Sequence, residues 1–417
     1  MLICLAPEID LRYERLYAYL QDDVTRKRPT VDLALNLLCF SLEAKLEARQ
    51  RFTDSSPLIQ RRLLHLSEDS SLQISSLLSK YLKIDEWVAS YLLGSDGVDS
   101  SLLPYAECFK PESCFEDLVL PEDVQRRLML LTRQKVAANQ GLVWYFQGPY
   151  GVGRQTTAEA LCHELGIGLL VIDGERLLNQ REGEFPEAVS LALREALLQG
   201  AALYWQGIDP LLEESKRPLL EALLKGLEEQ PGLAFLAGHT TWEPADALRQ
   251  VPFVRLEFPR PGPAGRARLW SRSLNGDLAN GPDADLYALT GKFRLSGGQI
   301  RDAVTTARNL ARWRDPQNGQ LTMDDLYAAC RLQSNRKLAT LAQKITPHYK
   351  WEDIVLPPDR MLQLREICIM SSTAAWSTMS GDSTTSSPWA RVSTPSLPGL
   401  PAPARPWPLK LSPVNWA

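Results

Sequence analysis

Between residues 142 and 258 five short apolar runs, LVWYF, GLLVID, AALYW, LAFLAG and VRLEF, alternate with stretches of helical spacing. A helix between each pair of strands carries the chain back over the sheet, so successive strands run parallel. The alternation therefore predicts an α/β unit, a mostly parallel sheet with helices on both faces.

The first run opens into GPYGVGRQTTAEALCHELG, a glycine-rich loop between a strand and a helix. Glycines there let backbone N–H groups wrap phosphate oxygens at a helix N-terminus, where the helix dipole favours negative charge. Against the pattern GxxxxGK[ST], Gly148, Gly151 and Gly153 are in register. The two residues that carry chemistry are different. Arg154, a wide planar fork, stands where a lysine ammonium reaches the terminal phosphates. Gln155 stands where a hydroxyl ligates Mg²⁺, and Thr156, one position late, points about 100° round the helix. Glycines alone would also serve a tight turn, but the surrounding alternation favours a phosphate loop.

Over residues 112–335 the sequence resembles the AAA family of P-loop ATPases. The resemblance implies an AAA-type parallel sheet followed by a helical lid subdomain, with ATP as the ligand. It also shows what differs. The family ends one strand in Asp-Glu, to anchor the metal's water shell and polarise the attacking water; here Gln206 and Gly207 occupy those places, with Asp209 nearby in a structural position. LAFLAGHTTWEP lacks the usual sensor asparagine, leaving His239 or Thr240 as substitutes, and ADALRQVPFVRLEFPRP lacks the arginine finger. LSGGQIRDAV resembles the second sensor, with Arg301 placed to touch a nucleotide. The implied nucleotide-binding set is Gly148, Gly151, Gly153, Arg154, Gln155, Thr156 and Arg301, with no catalytic residue and no metal ligand. Losing a water-positioning carboxylate or an arginine finger each costs several kcal/mol of transition-state stabilisation. Together the losses imply a module that holds a nucleotide statically or not at all.

Before this module, residues 1–105 form their own unit. Ile9, Tyr13, Leu16 and Leu20 repeat at helical spacing. So do Leu35, Leu38, Leu42 and Leu46, behind a cap at Thr30. RRLLHLSEDSSLQISSLLSKYLKI offers two apolar runs around a polar turn, which predicts a two-stranded wing and a small, mostly helical winged-helix domain. Arg26, Lys27 and Arg28 precede the candidate recognition helix, yet residues 1–105 hold 12 Lys/Arg against 15 Asp/Glu. With a chain charge of −4, that balance disfavours nucleic acid and favours packing or protein interaction. Seven dispersed cysteines without a CxxC pair indicate reduced thiols in a cytoplasmic protein. There is no apolar run of about 20 residues, and MLICLAPEIDLRYERL lacks a basic n-region and meets an acid by Glu8, so neither a membrane span nor a signal peptide is expected.

FEDLVLPEDVQRRLMLLT at residue 115 returns as WEDIVLPPDRMLQLREIC at residue 351, 236 residues on. A repeat of that period means two domain-sized modules, the second opening in residues 336–368. Residues 369–417 then change character, with 8 of the 29 prolines, 4 of the 11 tryptophans and no Glu. Read one base out of frame, their permitted codons include FAGPAGTGKT, a phosphate loop with both Lys and Thr, over positions 397–406, which is 15 residues beyond the place that the 236-residue offset gives and so implies a longer lead-in to the second loop. The tail is therefore expected to be an out-of-frame, disordered stretch replacing an active second module that uses Mg²⁺. Such tandem proteins, the resemblance implies, are ring-forming homo-oligomers acting on a protein substrate or assembly partner. Relatives of this layout accompany contractile injection systems.

Overall fold

All five apolar runs are strands of one sheet in the computed structural model of the chain, which describes residues 1–53, 55–68, 76–95, 97–244, 247–274, 283–317, 319–335 and 353–366. The residues group into two compact units. The first comprises 1–149 and 153–259, and the second comprises 150–152 with the chain from 260 onward. The tail at 369–417 and its expected disorder lie outside the described residues, as do Trp351 and Cys368.

The first unit begins with α1 (Leu2–Ile9), α2 (Arg12–Leu20), α3 (Val31–Leu38), α4 (Leu42–Arg49) and α5 (Pro57–Gln60). The wing follows as β1 (Leu64–Ser67) paired antiparallel with β2 (Tyr81–Ile84), and α6 (Glu86–Leu92) closes the domain. Thr30 caps α3 as its sequence suggests, accepting from the Leu33 N–H at 3.3 Å. Two expected stripes are corrected. Asp10 is extended and its carboxylate accepts from the Arg12 N–H, which separates α1 from α2 and leaves Ile9, Tyr13, Leu16 and Leu20 exposed. The stripe 35–38–42–46 spans two helices, because Cys39 is extended and Ser41 caps α4; of the four leucines only Leu35 is buried.

The sheet starts earlier than the sequence suggests. After α6 comes β3 (Ala106–Phe109), and after the long helix α7 (Glu122–Ala137) comes β4 (Leu142–Gln147). Then α8 (Arg154–Leu165), β5 (Gly168–Asp173), α9 (Gly174–Arg181), α10 (Phe185–Leu198) and β6 (Ala201–Gln206) follow. The unit ends with α11 (Arg217–Glu229), β7 (Leu233–Gly238) and β8 (Phe253–Glu257). Strand order is β3-β5-β6-β7-β4-β8, parallel except for β3, which pairs antiparallel with β5. Alternate residues Val143 and Tyr145, Leu170 and Ile172, Leu203 and Trp205 share one buried cluster with Val189 and Ala192 of α10 and Leu223 of α11. The intervening residues are buried as well: the Trp144 indole N–H reaches Thr132 of α7 at 3.1 Å, and Phe146 meets Phe235 and Phe258. A sheet covered on both faces needs apolar residues at every position, hence runs without polar alternation.

Helix α10 also carries the winged-helix domain. Arg194 is fully buried, and its guanidinium meets Asp99 at 2.6 Å, Asp85 at 3.3 Å and the Arg62 carbonyl at 3.0 Å, lying 5.5 Å from the Trp87 ring centroid. Arg62 holds a left-handed backbone (φ 51°), and its side chain pairs with Glu187. The Tyr91 hydroxyl donates to the Leu198 carbonyl at 2.5 Å. Beside Arg194, burial pushes the Glu195 carboxyl up to about 7, against the Gln199 amide and the Arg194 charge, which favour ionisation. A carboxyl raised in the folded state lends stability below its unfolded value of 4.5 and loses it as pH rises through 7. Glu195→Gln should therefore flatten the fall in unfolding free energy between pH 5 and pH 8, by up to roughly 3 kcal/mol. Denaturant titrations at the two pH values read it directly, and an unchanged slope would refute it.

The second unit holds α12 (Pro263–Leu274), α13 (Asp283–Lys292), α14 (Gly297–Arg314) and α15 (Met323–Asn335), packed around Trp270, Ile300 and Leu326. Ser296 and Gln299 form a reciprocal capping box at the start of α14. Residues 358–366 are helical, as the repeat of α7 requires.

Candidate functional site

The glycine-rich loop leaves β4 at the carboxyl edge of the sheet, beside the end of β7. The Gly148 N–H donates to the Gly238 carbonyl at 3.0 Å, which fixes the loop's first residue against β7. Gly153 takes a left-handed conformation (φ 94°) as the N-cap of α8, and no side chain caps the first turn. An uncapped helix start is the geometry that an anion fills, because the first-turn N–H groups have no partner within the helix. Gly151 is left-handed too (φ 75°). Within the second unit, to which residues 150–152 belong, its carbonyl accepts from the Gly298 N–H at 2.8 Å. A side chain on either glycine would collide with the other's backbone at 2.6 Å.

The loop's side chains are committed to the protein itself. Arg154 donates from Nη1 to the Gly238 carbonyl at 2.5 Å, so its fork is tied to the end of β7. Gln155 donates to Glu159 at 3.0 Å, one turn along α8. Thr156 is half-buried in the first turn, and the Thr157 hydroxyl turns back to the Gly153 carbonyl at 2.8 Å. Arg301 lies exposed on α14, in the second unit. The structure thus gathers Gly148, Arg154 and Gly238, while Arg301 sits in the other unit.

Next to the loop, the strand that carries acids in AAA proteins ends differently. Gln206 is exposed, and Gly207 turns into a left-handed conformation (φ 73°) while its N–H and that of Ile208 share the Ala237 carbonyl. A Cβ on Gly207 would meet the Glu175 side chain at 3.0 Å. Asp209 is the hub of a clamp. It accepts from the His239 N–H at 2.8 Å, the His239 ring at 3.0 Å, the Thr240 N–H at 2.9 Å and the Thr240 hydroxyl at 2.9 Å. Burial favours its neutral form, but those donors outweigh it and hold the carboxyl below the usual range. Tyr145 reaches the same turn, donating to the Thr240 carbonyl at 2.5 Å, and burial pushes its hydroxyl up to about 12.

Both substitute sensor residues therefore serve Asp209. The loop's backbone fits a phosphate; its side chains do not fit the metal that would accompany it, since no hydroxyl stands at 155 and no carboxylate at 206 or 207. Among the described residues no group of three or more His, Cys, Asp or Glu could hold a metal ion. Sequence reasoning missed the tie from Arg154 to β7 and the Tyr145 bond. The signal for the second was present, since Tyr145 carries the one polar side chain group able to ionise in an otherwise apolar strand.

Comparison with known proteins divides the chain into three. The winged helix domain (variant) family model matches residues 1–106. The model for the ATPase family associated with various cellular activities (AAA) matches residues 144–258. The contractile injection system ATPase helical domain matches residues 262–336. A solved FIGL-1 AAA domain is similar at 17% identity with a TM-score of 0.45, over 66% of this chain and 96% of that one. The FIGL-1 AAA domain in complex with ADP is similar at 18% identity with a TM-score of 0.46, over 67% and 98%. No curated protein matches the chain. Among the described residues no helix is long and apolar enough to cross a membrane.

Proposed function

We propose that this chain, which joins a winged helix, an AAA domain and the helical domain of a contractile injection system ATPase, is the non-hydrolysing part of an ATP-driven remodelling protein. It would act in the cytoplasm within a homo-oligomeric ring, on a protein substrate or assembly partner of a contractile injection apparatus. The observation that carries the silent module is Gly207. Its left-handed backbone strains any residue with a side chain, and a Cβ there would press on the Glu175 side chain at 3.0 Å, which disfavours a carboxylate where hydrolysis needs one. Arg154 adds to it: a cation bonded to the Gly238 carbonyl is engaged before any phosphate arrives. The uncapped helix start behind Gly153 remains suited to a phosphate, so Gly148, Gly151, Gly153, Arg154, Gln155, Thr156 and Arg301 are proposed as the residues around a static ATP.

Phosphate release in the presence of ATP and Mg²⁺ tests the reading. The chain should turn over no faster than its Arg154→Ala variant. Turnover that Arg154→Ala abolishes would overturn the proposal, whereas nucleotide binding without turnover agrees with it.

A further inference from the structure

The winged-helix domain carries a hole and a knob side by side. Between α1, α3 and α4 lies a cavity of about 350 Å³, with Cys4, Leu35 and Phe52 at its floor and Leu38, Glu47 and Arg51 at its mouth. The floor residues are at most 8% exposed. Immediately beside the mouth, between α3 and α4, Phe40 is 99% exposed. Leu37 and Leu38 at the end of α3 and Leu42 and Leu46 on α4, which flank it along the chain, are exposed too. Five large hydrophobic residues are thus exposed within the ten positions 37–46, a local density that a scattered surface does not show.

We infer that this face pairs with the same face of a second copy of the chain, each copy placing its Phe40 in the other's cavity. A two-fold interface needs one patch that complements itself, and a knob adjacent to its own hole supplies that. Charge permits the pairing. Across 43–51 the exposed rim holds Glu43 and Glu47 against Arg49 and Arg51, a mixed set that does not repel its own copy. Turning one copy over can set Glu47 opposite Arg51. Area asks for more than the two rings. Each phenylalanine can bury about 150–250 Å², short of the roughly 1,200 Å² of a small stable interface, so the four leucines must be covered with them. A polar partner or a small ligand would leave those leucines bare.

Sedimentation of the full chain over a wide concentration range tests the inference, with Phe40→Asp and Ala44→Trp as the paired variants. Ala44 is half-buried in the cavity wall, so its enlargement blocks the hole while Phe40→Asp removes the knob. Each variant should weaken association by roughly thirtyfold or more, the effect of a hot-spot residue. A mixture should associate more tightly than either variant alone, because each supplies the half that the other lacks. An unaltered far-ultraviolet spectrum checks that both fold. A chain monomeric throughout, an association unchanged by Phe40→Asp, or a mixture no better than its parts would overturn the inference. A ring built on the AAA domain would sense neither substitution, so the two ideas fail separately.

Discussion

Replacing Arg194 by methionine should destabilise the first unit by about 3–5 kcal/mol, the usual cost of removing one partner from a buried ion pair. Methionine fills much of the same volume, so the loss reports charge more than packing. Asp99 and Asp85 would remain, with side chains only 10% and 19% exposed and no cation between them. Arg194→Lys should fall between, because an ammonium keeps the charge but cannot reach Asp99, Asp85 and the Arg62 carbonyl in one plane. The pH dependence has a definite sign. Burial raises the Asp85 carboxyl, but the His65 hydrogen bond, the Arg194 charge and the Val88 N–H together hold it at about 2. A depressed carboxyl lends stability above its unfolded value of 3.8 and loses it as pH falls toward 2. Without Arg194 the acid transition of the first unit should move to higher pH. Denaturant unfolding at neutral pH measures the main effect, and a change below about 1 kcal/mol would show that the pair contributes nothing beyond its neighbours.

Inserting one nucleotide after the codon for Cys368 should yield a product that hydrolyses ATP, at a rate on the order of 1–1,000 s⁻¹. The restored product should run on for about the 236 residues of the repeat and carry Lys and Thr in its phosphate loop. Exchanging that Lys for Ala should return the rate to background. The structure adds a motive to the sequence argument. In the first copy of the repeat Leu118 and Leu128 are buried. Their counterparts Ile354 and Leu364 are only half-buried, and Val355 beside them is 97% exposed. Those side chains are patterned for a core that the described residues do not provide. A restored frame that meets stop codons within a few dozen positions, or one without Asp-Glu after its third strand, would sink the idea.

Much of this architecture could be read from side-chain periodicity. Four of the five runs became β4 to β7 because apolar runs of that length suit strands covered on both faces, VRLEF became the edge strand β8, and Thr30 announced a helix start by chemistry that acts within three residues. The wing was legible for the same reason. Other features depend on contacts between residues distant in sequence. Nothing around Arg194 in SLALREALL distinguishes a buried arginine from a surface one; its partners are 95 and 109 positions earlier. The stripe Ile9–Tyr13–Leu16–Leu20 has the right spacing for a core and yet faces outward, because a turn at Asp10 resets its phase. At the phosphate loop, the substitutions Arg154, Gln155 and Gly207 were visible as letters. What each side chain does instead, whether bonding to Gly238, to Glu159, or clearing space for Glu175, required coordinates.

β3 has a consequence for how the chain can be divided. Its four residues come from the link between the winged helix and the nucleotide-binding fold, and they hydrogen-bond along β5 from Leu169 to Ile172. They act as a hem, sewing shut a border that would otherwise present a row of unsatisfied amides and carbonyls. A fragment cut anywhere between β3 and residue 144, where the match to the AAA family begins, would unpick that hem and bare a template for strand addition. Insolubility of such a piece would then describe the cut and say nothing of the module it was meant to isolate.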